Sequence, residues 1–169
     1  MLIWKEFHNT IAIFYLCDMK ILMVCLGNIC RSPIAEGVLQ HKARLAGLDW
    51  IVESAGTYGF HENEPPHSSS IKVCKENGVD IHNQRARKLN ISDFDNYDLL
   101  LPMANDVMAG MQAIGGDLFS TQKSPLFLDA LRPGLLQDVP DPYYGTYEDF
   151  EKVYNLIDEC CDAIIKKYG

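Results

Sequence analysis

Apolar positions in this chain fall into two alternating patterns. Residues 20–25, Lys-Ile-Leu-Met-Val-Cys, form a short and nearly continuous apolar run, as expected of a strand buried on both faces. Ser32 and Pro33 then read as a helix start, with Glu36 in the first turn. Ala35, Val38, Leu39, Ala43 and Ala46 keep a three-to-four spacing until Gly47. A second strand is expected over 50–53, a loop rich in Gly, Pro and Asn over 54–67, and a helix over 68–77 ahead of Gly78. The run at 98–101 predicts a third strand, 105–114 a helix, 124–128 a weaker fourth strand, and 133–144 a turn-rich loop. The last helix is the clearest. Phe150, Val153, Tyr154, Ile157, Cys161, Ile164, Ile165 and Tyr168 form one stripe, with Thr146 as cap and acidic and basic residues at the ends the helix dipole favours.

Strands alternating with helices predict an α/β domain with a parallel sheet. Residues 19–169 are long enough for one such domain. The segment before it is apolar only over 11–17, too short to span a bilayer, and lacks the flanks of a secretory signal. We read 1–18 as an extension outside the core.

The formal charge of −8 argues against nucleic acid and anionic membranes as partners, because their phosphates would be repelled. Six cysteines include no C-x-x-C pair and no zinc-finger spacing, and a chain of this size needs no disulfide staples. A reduced, cytoplasmic protein without a metal or other cofactor is the expectation. His41, His61, His67 and His82 show no metal spacing and read as solvated or loop histidines.

The chemistry concentrates where the first strand meets the first helix. Cys25 is followed by Leu26, Gly27, Asn28, Ile29, Cys30, Arg31 and Ser32. Ligands of parallel sheets bind at the carboxyl ends of strands, where Cys25 falls. A loop entering a helix N-terminus offers N–H groups to an anion and favours a thiolate. Gly27 permits close approach of backbone, and Asn28 tolerates left-handed geometry. Arg31 presents a planar fork to two phosphate oxygens, and Ser32 can donate to the sulfur. A phosphate ester also needs an acid for its leaving oxygen, and Asp141, stiffened by Pro140 and Pro142, is the candidate. On these residues alone an ordinary Asp-Pro turn remains the alternative.

Cys25-Leu26-Gly27-Asn28-Ile29-Cys30-Arg31-Ser32-Pro33-Ile34-Ala35-Glu36 and Asp141-Pro142-Tyr143-Tyr144-Gly145 together resemble the phosphate and general-acid loops of the low-molecular-weight protein tyrosine phosphatases. Ser54-Ala55-Gly56-Thr57, Pro65-Pro66, Arg85-Ala86-Arg87 and Tyr97-Asp98 fall in familiar places between them. The resemblance implies three αβα layers around a four-stranded parallel sheet with helices on both faces. It implies hydrolysis of protein phosphotyrosine through a phosphocysteine on Cys25, with Asp141 as acid and then base. It also implies Arg31 and the loop amides around the phosphate, Asn28 and Ser32 as loop support, and Phe60, Tyr143 and Tyr144 about the substrate ring. Cys30 would shield Cys25 as a reversible disulfide. Tyrosine-phosphorylated proteins are the expected partners, and a monomer or weak dimer the expected state.

The chain departs from the family at Ala104 and Val107, where Asp and Asn are usual, at Gln84, where His is common, and at Asn63, where Gly is usual. Arsenate reduction on the same loop would need relay cysteines, but only Cys74 lies between Cys30 and Cys160. Phosphoarginine phosphatases carry Thr at the places of Leu26 and Ile29, whose apolar side chains here suit a phenyl ring. A non-catalytic phosphotyrosine-binding module would need no nucleophile and acid together. A chain begun at Met19 is expected to keep the fold and activity, measured by melting and phosphatase assay; loss of either would contradict the reading of 1–18.

Overall fold

The computed structural model describes residues 19–169; the extension expected over 1–18 lies outside the described residues. Strand β1 (Lys20–Cys25) lies between β2 (Ile51–Gly56) and β3 (Leu99–Pro102), and both pairings are parallel. The chain leaves β1 through helix α1 (Arg31–Leu45) for β2 on one side, and later places β3 on the other. The carboxyl end of β1 is therefore a topological switch point, the position at which open α/β sheets bind ligands. Cys25 closes that strand.

Helices cover both faces. Ile21 and Met23 pack with Ile34, Val38 and Leu39 of α1, Val73 of α2 (Ser68–Glu76), and Phe150, Val153 and Ile157 of α5 (Tyr147–Tyr168). Leu22 and Val24 point into a smaller cluster. It holds Phe94 of the short α3 (Asp93–Asn96), Leu100, and Val107 and Met111 of α4 (Asn105–Gly115). Every residue of β1 after Lys20 is buried, which explains why its sequence shows no polar alternation. The last helix starts at a capping box in which the Asp149 carboxylate accepts from the N–H of Thr146 at 2.8 Å.

Beyond shifts of one residue at element ends, three features depart from the patterning. The sheet described has three strands: 124–128 does not form the fourth. At the β3 edge it is the preceding residue, Lys123, whose carbonyl accepts from the N–H of Leu100 at 2.9 Å. Pro125 has no N–H for a ladder, and Leu126, Phe127 and Leu128 are all buried, so consecutive side chains face inward through a 3₁₀ turn (Phe127–Ala130). Strand β2 runs on to Gly56, because Gly56 continues the pairing with Cys25 and is itself bonded to Arg87 and Leu89. Helix α1 begins at Arg31, which puts Glu36 in its second turn rather than its first.

Gly56 lies directly under the loop after β1. A Cβ there would sit 2.8 Å from the carbonyl oxygen of Leu26 and 3.1 Å from the nitrogen of Asn28. Gly56→Ala should thus destabilise the fold by about 1–3 kcal/mol and weaken phosphate binding together. Denaturant melts and phosphate titration of the variant measure both, and an unchanged phosphate affinity would contradict the contact.

Candidate active site

The loop following Cys25 is fastened from outside through its carbonyls. The N–H groups of Thr57, Tyr58 and His67 donate to the carbonyls of Cys25, Leu26 and Ile29 at 3.0, 2.9 and 2.8 Å. With those carbonyls engaged, the loop has N–H groups to offer an anion. Asn28 takes a left-handed conformation, φ 58°, which Asn accepts more readily than most residues. Its N–H donates to Cys25 Sγ at 3.2 Å, and Ser32 Oγ donates to the same sulfur at 3.0 Å. The Asn28 amide nitrogen donates to Ser32 Oγ at 2.9 Å and to Ser54 Oγ at 2.8 Å, and its oxygen accepts from the Arg87 N–H at 2.9 Å. Cys25, Asn28, Arg31 and Ser32 are all buried.

Arg31 reaches across to the loop expected to carry the acid. Its Nη2 pairs with Asp141 Oδ2 at 2.6 Å and its Nη1 donates to the Val139 carbonyl at 3.2 Å. The acid loop is further held by Val139 N–H on the Met103 carbonyl at 2.8 Å. Asp138 Oδ1 accepts from the N–H of Asn105, the first residue of α4, at 2.8 Å, and from its side chain at 2.6 Å. Ala104 at the cap position of α4 has no side-chain acceptor, so the partner missing from the sequence at that position comes from Asp138 instead. Sequence reasoning overlooked Asp138, although an acidic residue two places before Pro140 was in view.

A cleft of about 450 Å³ opens over the sulfur, lined by Cys25, Leu26, Gly27, Ile29, Cys30, Arg31, Phe60, His61, Asp141, Tyr143 and Tyr144. The expected site residues thus converge, apart from Asn28 and Ser32, which lie beneath the loop. Phe60 is 83% exposed and stacks on Tyr58 with centroids 5.8 Å apart, and Tyr144 is 96% exposed. These rings stand at a rim rather than in a core. Tyr143 packs at right angles to Tyr144, 4.8 Å away. His61, expected to be a solvated loop residue, forms part of the wall, with its Nδ1 2.8 Å from Glu64 Oε2. His67 caps α2 and stacks on Phe150. Asn63, at a place where Gly is usual, has φ 67°, so the backbone still needs the left-handed region there.

Burial, then the nearby Cys25 and Asp141, pushes the Cys30 thiol up to about 12. Cys30 is held as a neutral thiol next to the nucleophile candidate. Beneath the loop, burial pushes the Glu36 carboxyl up to about 7, against a hydrogen bond from Ser54. Cys160 and Cys161 are wholly buried in the core, as the apolar stripe of the last helix predicts.

A sulfur at a strand end, a loop of amides and hydroxyls around it, an arginine fork and a facing carboxyl form an arrangement chemically suited to binding and attacking a phosphate monoester. The family model "Low molecular weight phosphotyrosine protein phosphatase" matches residues 20–168. The chain belongs to that family. It is 37% identical over 146 residues to the low molecular weight phosphotyrosine protein phosphatase of Schizosaccharomyces pombe, covering 83% of this chain and 92% of the relative. With the low molecular weight protein-tyrosine-phosphatase YfkJ of Bacillus subtilis it shares 33% over 149 residues, covering 87% and 94%. The structure of Vibrio vulnificus Wzb in complex with benzylphosphonate superposes with a TM-score of 0.80 at 35% identity, covering 89% of this chain and 99% of the other.

Loss of the Asp138 carboxylate should free the acid loop. Asp138→Ala is expected to destabilise the chain by about 1 kcal/mol, the value of a lost helix cap, and to lower kcat more than it raises KM. Steady-state kinetics and melts check this, and wild-type kcat in the variant would contradict it.

Proposed function

We propose that this chain hydrolyses phosphotyrosine in proteins by two displacements at phosphorus. Cys25 Sγ attacks phosphorus, the S–P bond forms, and the ester P–O bond breaks as Asp141 gives its proton to the phenolate leaving oxygen. Water then attacks the phosphocysteine. Asp141 takes a proton from that water, the S–P bond breaks, and the thiolate leaves with phosphate. Arg31 holds two equatorial oxygens, and the loop N–H groups surround the rest, where negative charge develops. Ser32, already donating to sulfur at 3.0 Å, stabilises the thiolate before attack and after departure.

One observation carries this reading: the pairing of Arg31 with Asp141 at 2.6 Å across the cleft from Cys25. It brings the anion-binding fork, the acid and the sulfur to one small space, which a binding module has no use for. The rim supports an aryl ester over a guanidine. Leu26 and Ile29 line the cleft beside Phe60, Tyr143 and Tyr144, giving apolar surface for a phenyl ring. Wzb of Vibrio vulnificus, at similar fold and identity, was solved with benzylphosphonate, a phenyl ring joined to a phosphonate through one carbon.

The free state of all five described cysteines suits a reducing, cytoplasmic setting. Among the described residues no helix is long and apolar enough to cross a membrane. Cys30, the neutral thiol of the pair, would close a reversible disulfide if Cys25 were first oxidised to a sulfenic acid, the bond forming with loss of water. A monomer or weak dimer remains our reading of its state.

Turnover of p-nitrophenyl phosphate and of a phosphotyrosine peptide tests the proposal. Cys25→Ser should lose at least about a thousandfold in kcat. Asp141→Ala should lose about 10²–10⁴-fold with substrates of poor leaving group while KM changes little. Full turnover by Cys25→Ser, or an unchanged kcat for Asp141→Ala on a phosphotyrosine peptide, would overturn the mechanism.

A further inference from the structure

The two-step chemistry makes no use of the Glu36 carboxyl, which lies half-buried beneath the phosphate loop. Glu36 Oε2 accepts from Ser54 Oγ at 2.6 Å. Ser54 Oγ accepts from the Asn28 amide at 2.8 Å, that amide also donates to Ser32 Oγ at 2.9 Å, and Ser32 donates to Cys25 Sγ at 3.0 Å. A hydroxyl has a single proton to give. With the Ser32 proton on sulfur and the Ser54 proton on carboxylate, every hydrogen between Cys25 and Glu36 has one direction.

We propose that Glu36 is a positioning residue whose ionised carboxylate fixes Ser54, and through Ser54 and Asn28 the phosphate loop, so that loop order follows the protonation of Glu36. The inference rests on the phosphatase reading for its kinetic consequence, but not for its structural one.

The groups facing Glu36 explain why its proton is poised. From β2, Glu53 disfavours a second negative charge, while Ser54 favours it by donating. Arg87 is the nearby cation, but its guanidinium is already committed to Asp93 at 2.9 Å, to the Tyr97 hydroxyl at 3.2 Å and to Glu53 at 3.7 Å. The remaining neighbour is Gln84, which brings an uncharged amide within hydrogen-bonding reach. A histidine at that place would supply a second cation; this chain does without it. Gln84 Oε1 is buried with no partner among the described residues. Protonation of Glu36 leaves Ser54 with a neutral acceptor in place of a charged one.

Hydrogen bonds to a charged acceptor are roughly twice as strong as those to a neutral one. Protonation therefore slackens the hold on Ser54 without breaking the chain. Folding responds with the opposite sign. An unfolded glutamate releases its proton near pH ~4.3, whereas the folded chain keeps it to about pH 7. The folded state binds more protons in that window, so stability from this group falls as pH rises through it.

Glu36→Gln, a neutral isostere, separates the two effects. Across pH 5–8 the wild-type protein should gain about fivefold in orthophosphate affinity and in kcat/KM relative to this variant, with the midpoint near pH 7. Over the same range the melting temperature of Glu36→Gln should rise relative to wild type. Gln84→His, placing a cation beside the carboxyl, should move both midpoints downward, and it serves alone if Glu36→Gln does not fold. Ratios flat with pH, or midpoints that Gln84→His leaves in place, would overturn the proposal. Absence of phosphatase turnover in the wild-type protein would instead refute the phosphatase reading, while the melting shifts would still decide the role of Glu36.

Discussion

The left-handed turn at Asn28 is the constraint on which the site depends. An L-residue in that conformation costs about 1–2 kcal/mol. Here the backbone N–H meets Cys25 Sγ and the side chain makes three further hydrogen bonds, to Ser32, Ser54 and Arg87. One residue thus ties the strand end that carries the sulfur to the start of α1, the end of β2 and the segment after Gln84. Glycine would take the same φ at less cost, but it could make none of the side-chain bonds. Ser32 and Ser54 are not merely polar fillers; each hydroxyl is oriented because Asn28 takes up one of its lone pairs.

A second layer of restraint operates on the acid. Asp141 is placed by Arg31, by the Val139 backbone between Met103 and Arg31, and by Asp138 at the start of α4. Sheet, oxyanion loop and acid loop are therefore one connected body. Cys25 and Asp141 are separated by more than a hundred residues, yet each is positioned by contacts to the same arginine or its neighbours. The rim is less tightly held: Phe60 and Tyr144 are exposed, Phe60 stacking on Tyr58 and Tyr144 meeting Tyr143 edge-on.

Much of this was legible in the sequence because the strongest constraints are local. The nearly unbroken apolar run 20–25 specifies a doubly buried strand, and a Cys, Gly, Asn, Arg and Ser at their spacing specify an anion loop that leads into a helix. The stripe from Phe150 to Tyr168 specifies α5. What sequence could not show is contact at a distance. The short α3 lacks periodicity to announce it, and 124–128 has strand composition but packs three consecutive apolar residues inward, which depends on α5 and the sheet edge being there. Ala104 read only as a departure where Asp is usual, because the carboxylate that bonds the start of α4, Asp138, is distant in the chain. Glu36 looked like a first-turn helix residue, although it is turned beneath the loop and its charge is governed by neighbours from β2 and the 84–87 segment.

The central claim is that Cys25 sulfur, oriented by Asn28 and Ser32, takes the phosphoryl group itself. Rapid quenching of Asp141→Ala during turnover of p-nitrophenyl phosphate, followed by peptide mass spectrometry, tests this directly. That ester has a good leaving group, so the first displacement should proceed without the acid while hydrolysis of the intermediate lags. The account predicts one phosphoryl group on the peptide containing Cys25, attached at that cysteine and absent from Cys25→Ser. A phosphoryl group on another residue, or product formed with no covalent adduct at any time, would contradict it.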